Sequence, residues 1–280
     1  MAFQRPPARR KRAFLRLSLF VLLVILLLPA CTASQATRLL EPLHYALSPG
    51  MAVIIEIPSG ALLLTNGEAS QVTLSSELSI SQEAQITTSS DPESLHLLIQ
   101  DQGAAPLTLF VPPEASVHIK TFDAELSVQD FEGSLRIDST AGDSHLQDCH
   151  GQVVVVANRG DASFQSCQGE LTLFGNYGYL SLEDVSGTIS ASTIMGTIHY
   201  AGRVARTDQV HLETDHGPVE VWLDTNSDVS VTVSTTIGVV DCVLPGLQPA
   251  GAGCAGILGS NGGILEVRSV SGEVDVQRLP

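Results

Sequence analysis

Three groups of residues in this chain have side chains and spacing that could do chemistry. His211, Glu213 and Asp215 alternate, with His216 next. Alternation along a strand puts the first three on one side, where an imidazole and two carboxylates can hold a divalent metal. Val210 and Leu212 claim the opposite, inward side, so the trio is expected on a solvated outer face with no metal bound. The carboxylates Asp130, Asp138, Asp148, Glu183 and Asp184 fall at expected turns. A hydrolase or lyase acting on glycans needs two carboxyl groups facing each other across a groove, and no such pair is singled out. The third group is the cysteines Cys31, Cys149, Cys167, Cys242 and Cys254. Cys242 and Cys254 flank a Gly/Pro-rich excursion at 245–256, which a disulfide would close. Cys149 and Cys167 would share one inward column, where two packed thiols are favoured over a second, weaker possible disulfide. On these residues the chain is expected to be no enzyme and to need no cofactor.

The elements that must position these groups begin with an address. Six of the 14 basic residues (Arg5, Arg9, Arg10, Lys11, Arg12 and Arg16) precede an apolar run from Leu17 to Leu28 broken only by Ser18. That length suits a signal-peptide core and is short for a bilayer span. Leu28-Pro29-Ala30-Cys31 resembles a bacterial lipobox, which implies cleavage before Cys31 and a lipid on its thiol. An ordinary signal peptide or an uncleaved anchor remains the alternative. Residues 1–30 thus read as a lipoprotein signal peptide, 31–44 as a polar tether and 45–280 as one domain in the cell envelope, lipid-anchored to the extracytoplasmic face of a membrane. From Cys31 onward eight basic residues stand against 30 acidic ones. A surface that acidic repels phosphate backbones and argues against nucleic-acid binding.

The domain reads as strand throughout. Hydrophobic residues make up 44% of the chain and aromatics only 5%, which favours Val/Leu/Ile-rich strands. Residues 51–57 and 61–65 are apolar runs ended by Pro58-Ser59-Gly60 and Asn66-Gly67, residues 78–80 alternate, and the Ser-rich stretch 87–94 reads as a loop. A glycine then recurs every nine residues, at Gly133, Gly142, Gly151, Gly160, Gly169, Gly178, Gly187 and Gly196. Residues two and four places after each are mostly apolar, the mark of a short strand with one buried face. Seven places after, Phe131, Cys149, Cys167 and Val185 alternate with Thr140, Asn158, Asn176 and Ile194, so the true period is eighteen residues with two strands and two turns.

Such a chain can stack unit upon unit as a parallel β-solenoid, with each glycine where a turn needs a positive backbone angle or close packing. An antiparallel meander would also fit the alternation. In a stack Asn158 and Asn176 would bond amide to amide, the alternative being two exposed turn asparagines. Asp143 and Asp161 follow their glycines directly, unlike the Gly-x-Asp turn of calcium-binding nonapeptide repeats, and read as turn residues. The ruler slips over 202–209 and resumes less strictly to a final strand at 272–276.

Val185-Ser186-Gly187-Thr188-Ile189, Val270-Ser271-Gly272-Glu273-Val274-Asp275-Val276 and the run 109–117, with Pro112-Pro113 at its centre, resemble bacterial putative-adhesin domains of unknown function with β-strand repeats. The resemblance covers roughly 50–280 and implies an all-β repeat domain with no shared catalytic residues. It implies a membrane-anchored surface scaffold or binding module with an envelope or surface partner, protein or glycan. An accessory protein of envelope stress signalling and a carbohydrate-active β-helix enzyme are the alternatives from other classes.

Overall fold

The structure is a computed structural model that describes residues 42–76, 86–100, 106–260 and 262–280. The proposed signal peptide, Cys31, nearly all of the tether and the strand expected at 78–80 lie outside the described residues. All regular structure within them is strand. The opening section holds β1 (Leu43–Ala46), β2 (Ala52–Asn66), β3 (Gln71–Ser76), β4 (Ile86–Ser90), β5 (Ser94–Ile99) and β6 (Leu107–Val111). The ruled section holds β7 (Ala115–Gln129), β8 (Glu132–Ala141), β9 (Ser144–Gln147), β10 (His150–Arg159), β11 (Ala162–Gln165), β12 (Gln168–Glu183) and β13 (Ser186–Gly202). The closing section holds β14 (Gln209–His216), β15 (Val219–Leu223), β16 (Val229–Ile237), β17 (Val240–Cys242), β18 (Leu247–Ala250), β19 (Gly253–Leu258), β20 (Gly263–Ser271) and β21 (Val274–Arg278).

Through the ruled section, each residue pairs in parallel with the one eighteen places on: Gly133 with Gly151, Gly151 with Gly169, and Gly169 with Gly187. The antiparallel meander is thereby excluded there. Each eighteen-residue unit gives one strand to a first ladder (β8, β10) and one to a second (β9, β11). Long strands such as β7, β12 and β13 run through both, so all 21 strands join one hydrogen-bonded sheet. Alternate residues point inward, and Leu135, Ile137, Val153, Val155, Leu171 and Leu173 of the first ladder are all buried. Between the ladders the chain bends at a column of small residues in register, Thr121, Ser139, Ala157, Gly175, Thr193, Thr214 and Ser269. Small side chains leave room for that corner, and those that are Ser or Thr are buried.

The glycines set how closely units approach. A Cβ on Gly151, Gly169 or Gly187 would lie 2.0–2.2 Å from the carbonyl oxygen of the glycine one unit back. The second column behaves alike through Gly160, Gly178 and Gly196, and continues through Gly217, Gly272 and Gly238. Gly133, Gly142, Gly151, Gly160, Gly169, Gly178 and Gly187 also have positive φ, whereas Gly196 is held to glycine by contact alone. In the intervening turns the positive-φ position is taken by Asp130, Asp148, Ser166 and Asp184, short polar residues that tolerate it.

At both ends the spatial order of units departs from chain order. β2 lies between β7 on one side and β5 with β6 on the other. Likewise β20 and β21, last in the chain, insert between β14–β15 and β16–β17. The strand at 272–276 is therefore last in sequence and last but one in the stack. Antiparallel strands cover much of each end: β4 on β5, β3 on β6 with β1 beyond it, and β19 on β16 with β18 beyond it. Two sequence expectations are corrected here. Of the stretch 87–94, read as loop, residues 87–90 belong to β4, because an edge strand with little to bury does not need an apolar pattern. Residues 245–256, read as an excursion, contain most of a hairpin in which Gly253 and Gly256 let backbones pack closely, a Cβ on either meeting a carbonyl at 1.8–2.1 Å. The return after that hairpin is tied by Asp228, which accepts bonds from Ser260 N, Ser260 Oγ and Gly262 N at 2.7, 2.8 and 3.1 Å.

Two predictions come from these contacts. Gly169→Ala should cost about 3–5 kcal/mol, combining a positive-φ penalty with a backbone clash, whereas Gly50→Ala, with open space around it, should cost about 1 kcal/mol; denaturant unfolding compares them. The Ser260 hydroxyl and the Ser260 and Gly262 amides hold the Asp228 carboxyl below the usual carboxylate range, against a smaller upward push from burial. A depressed folded pKa gives stability that is present above the unfolded value and is lost as pH falls through the folded one. Amide protection around Gly259 and Ser260 should therefore hold at neutral pH, fall in acid, and be absent at neutral pH in Asp228→Ala.

Candidate binding faces

Outward residues of the first ladder carry paired charges. Lys120 Nζ is 3.5 Å from Glu56 Oε1, Arg136 Nη2 is 2.7 Å from Asp138 Oδ1, and His118 Nε2 is 2.7 Å from Asp138 Oδ2. Burial pushes the Asp138 carboxyl up, but hydrogen bonds from Arg136 and His118 outweigh it and hold the group below its ordinary range. His211 and Glu213 belong to the same face. The imidazole lies 3.6 Å from Glu213 Oε2 and 3.4 Å from Glu266 Oε2, while Arg268 Nη1 is 3.1 Å from Glu213 Oε1. Asp215 and His216 are exposed at the strand end. His211 and Glu213 are thus engaged with Glu266 and Arg268 of the neighbouring strand, and Asp215 takes no part in these contacts. Among the described residues no three His, Cys, Asp or Glu side chains converge as a metal site.

The other sequence candidates serve the stack. Asp143 Oδ1 accepts from Asp161 N at 2.8 Å, and Asp161 Oδ1 from Tyr179 N at 2.7 Å, so each carboxylate after a glycine is spent on the next unit's backbone. Asn176 Nδ2 donates to Asn158 Oδ1 at 2.6 Å. Asp130, Asp148 and Asp184 share one turn column with Ser166, its members eighteen residues apart, Glu183 precedes Asp184, and Asp138 lies on the first ladder's face. A cavity of about 440 Å³ beside Leu47, Met51, Pro112 and Pro113 has Glu114 as its single carboxylate, too few for two-carboxylate glycoside chemistry.

The cysteines divide in two. Cys242 and Cys254 form a disulfide with Cα atoms 6.6 Å apart, linking β17 of the second ladder to β19, which covers the first. Cys149 and Cys167 are buried free thiols, so the weaker pairing considered from sequence does not form. Stacked in register, their side chains run parallel, whereas a disulfide needs them to converge. A hydrogen bond with Cys167, then burial, pushes the Cys149 thiol far up, so this residue stays protonated.

The outward face of the second ladder was not singled out by sequence. The rows run in register Ser163–Ser181–His199–Glu220–Asp275–Asp241, placing three carboxylates side by side at about 5 Å spacing. Each adjacent like-charge pair costs on the order of 1 kcal/mol in water and more where half-buried. Burial, then Asp241, Glu220 and Glu273, push the Asp275 carboxyl up. The strands of this ladder hold one lysine or arginine among the described residues, Arg278, exposed at the end of β21 in register with the buried Leu223 and on the opposite alternation from Asp275.

Beside the carboxylates runs a diagonal of rings. Tyr179 stacks on His199 with centroids 6.2 Å apart, and Trp222 meets His199 edge-on at 5.0 Å. Although His199 points outward, its side chain is only 10% exposed. Its Nδ1 is 3.4 Å from Glu220 Oε2, but out of line for a hydrogen bond, and it is buried without a partner, as is Trp222 Nε1. The rings come from β12, β13 and β15, and the register from β13 to β15 advances by twenty-one residues instead of eighteen. Extending the nine-residue ruler therefore could not align them.

Comparison with known proteins yields no matching protein-family profile and no curated protein similar in sequence. Among solved structures, a "putative adhesin" from Bacteroides fragilis NCTC 9343 has a TM-score of 0.53 at 13% identity, over 86% of this chain and 98% of its own. A "putative cell adhesion protein" from Clostridium sporogenes ATCC 15579 aligns over 86% of this chain and 100% of its own at 12% identity, with a TM-score of 0.29. The likeness to the Bacteroides fragilis protein is one of fold.

Thiol labelling in denaturant without reductant should find two free thiols within 42–280. Reducing the Cys242–Cys254 bridge should lower stability by about 3 kcal/mol and expose β17–β19 to hydrogen exchange before the ruled section. Four free thiols before reduction would contradict the pairing.

Proposed function

We propose that the chain is an exported, lipid-anchored protein whose domain, a β-solenoid of eighteen-residue, two-strand units, serves as an adhesin-like surface scaffold or binding module and carries out no chemistry. The observation that carries this reading is the second ladder's outer face. Charges on the first ladder's face are largely paired within the chain, whereas on the second Glu220 faces the His199 imidazole at 3.4 Å and Glu220, Asp275 and Asp241 have no lysine or arginine ion pair among the described residues, beside a row of aromatic rings, as a surface awaiting a partner does. The eighteen-residue parallel registers support the solenoid reading. The fold shared with a protein named a "putative adhesin" supports the surface role. The lipobox-like Leu28-Pro29-Ala30-Cys31 supports the anchor.

Cell fractionation and capture test both halves of the proposal. The wild-type chain should sediment with membranes and Cys31→Ser should not. Purified chain should retain an envelope component and release no sugar from polysaccharide. Retention of Cys31→Ser in membranes at unchanged size would remove the anchor. Capture of nothing from intact envelopes would remove the binding role.

A further inference from the structure

The geometry points to a cationic polypeptide segment, one presenting arginine or lysine side chains, as the occupant of the second ladder's outer face over β13, β15, β21 and β17. This rests on the binding-module reading and gives that module its ligand class. Two independent observations meet at this place. One is the run Glu220, Asp275, Asp241, with Glu273 close by, three of them in one register row and without a lysine or arginine ion pair among the described residues. The other is His199, nine-tenths buried, with Nδ1 lacking a hydrogen-bond partner and 3.4 Å from Glu220 Oε2, held between Tyr179 and Trp222.

Charge complementarity selects the occupant. A guanidinium or ammonium group can lie over an indole or phenol ring and reach a carboxylate one strand away, combining cation–π attraction with a charge-assisted hydrogen bond. The strand spacing of about 5 Å offers acceptors at intervals that successive side chains of an extended peptide can reach. A neutral glycan would use the rings but gain nothing from three adjacent charges. An anionic glycan, nucleic acid or anionic lipid would be repelled. The first ladder's face is the internal contrast, since its carboxylates Glu56, Asp138 and Glu213 already hold Lys120, Arg136 and Arg268.

The chain has a single tryptophan, and it is Trp222, so its own fluorescence reports on this face. The full chain in detergent should be titrated at physiological salt with a hexa-arginine peptide, a neutral hexasaccharide and calcium chloride. Expected are a saturable change in Trp222 emission with the peptide, weakened by higher salt, and about tenfold or more weaker binding in Glu220→Gln/Asp275→Asn. That double variant removes repulsion and should fold at least as well as wild type, which circular dichroism checks. Glu170→Gln, on the first ladder's face, should bind as wild type does. No emission change with the peptide, an equal loss in Glu170→Gln, or a response to the hexasaccharide or to calcium in place of the peptide would each overturn the inference. If the double variant still retains the partner captured from envelopes, the cationic site fails while the binding module stands. If wild type captures nothing, the broader reading fails first.

Discussion

Backbone touching backbone at the two glycine columns is the contact on which everything else in this protein depends. Parallel strands one unit apart sit at ladder spacing only if nothing projects between the turns, and at Gly151, Gly169 and Gly187 even one methyl group would overlap a carbonyl oxygen. Once units are locked at that distance and in register, every side chain faces the same position of the next unit. Like therefore meets like. For the inward column this means continuous aliphatic packing; for Asn158 and Asn176 it means a hydrogen bond from the Asn176 amide to the Asn158 carbonyl oxygen between turns. For Cys149 and Cys167 it means two thiols side by side, and for Glu220, Asp275 and Asp241 a row of like charges.

The strict part of this arrangement was legible in the sequence because the repeat is short, exact in length from Gly133 to Gly196, and written in residue types with few substitutes. Inward positions such as Leu135, Val153 and Leu171 follow from the ruler directly. The corner column Thr121, Ser139, Ala157, Gly175 and Thr193 could not be found the same way, since what its members share is size and not polarity. Of the misread stretches, β4 and β18 are edge strands, and an edge strand paired on one side only has no reason to display a buried face.

The ringed, acidic face was hidden for a different reason. Tyr179, His199 and Trp222 become neighbours only when the three-residue lengthening between β13 and β14 is placed in the turn. Glu220, Asp275 and Asp241 align only when β20 and β21 are known to slip between units that precede them in the chain. Spacing in sequence measures spacing in space only while chain order and stacking order agree. The ordinary physics of register explains why the ruler was informative in the middle and silent at the ends.

That displaced order also bears on how the polypeptide matures as it is made. The ruled units can each add to the one before as the chain lengthens, because every new unit finds its partner already present. The unit of β16 and β17 finds none. Its parallel neighbour among the described residues, β20 with β21, is synthesised afterwards and must enter between two segments that are already there. The C-terminal residues thus act as a keystone, set last, and until they arrive the far end of the stack keeps an open parallel edge.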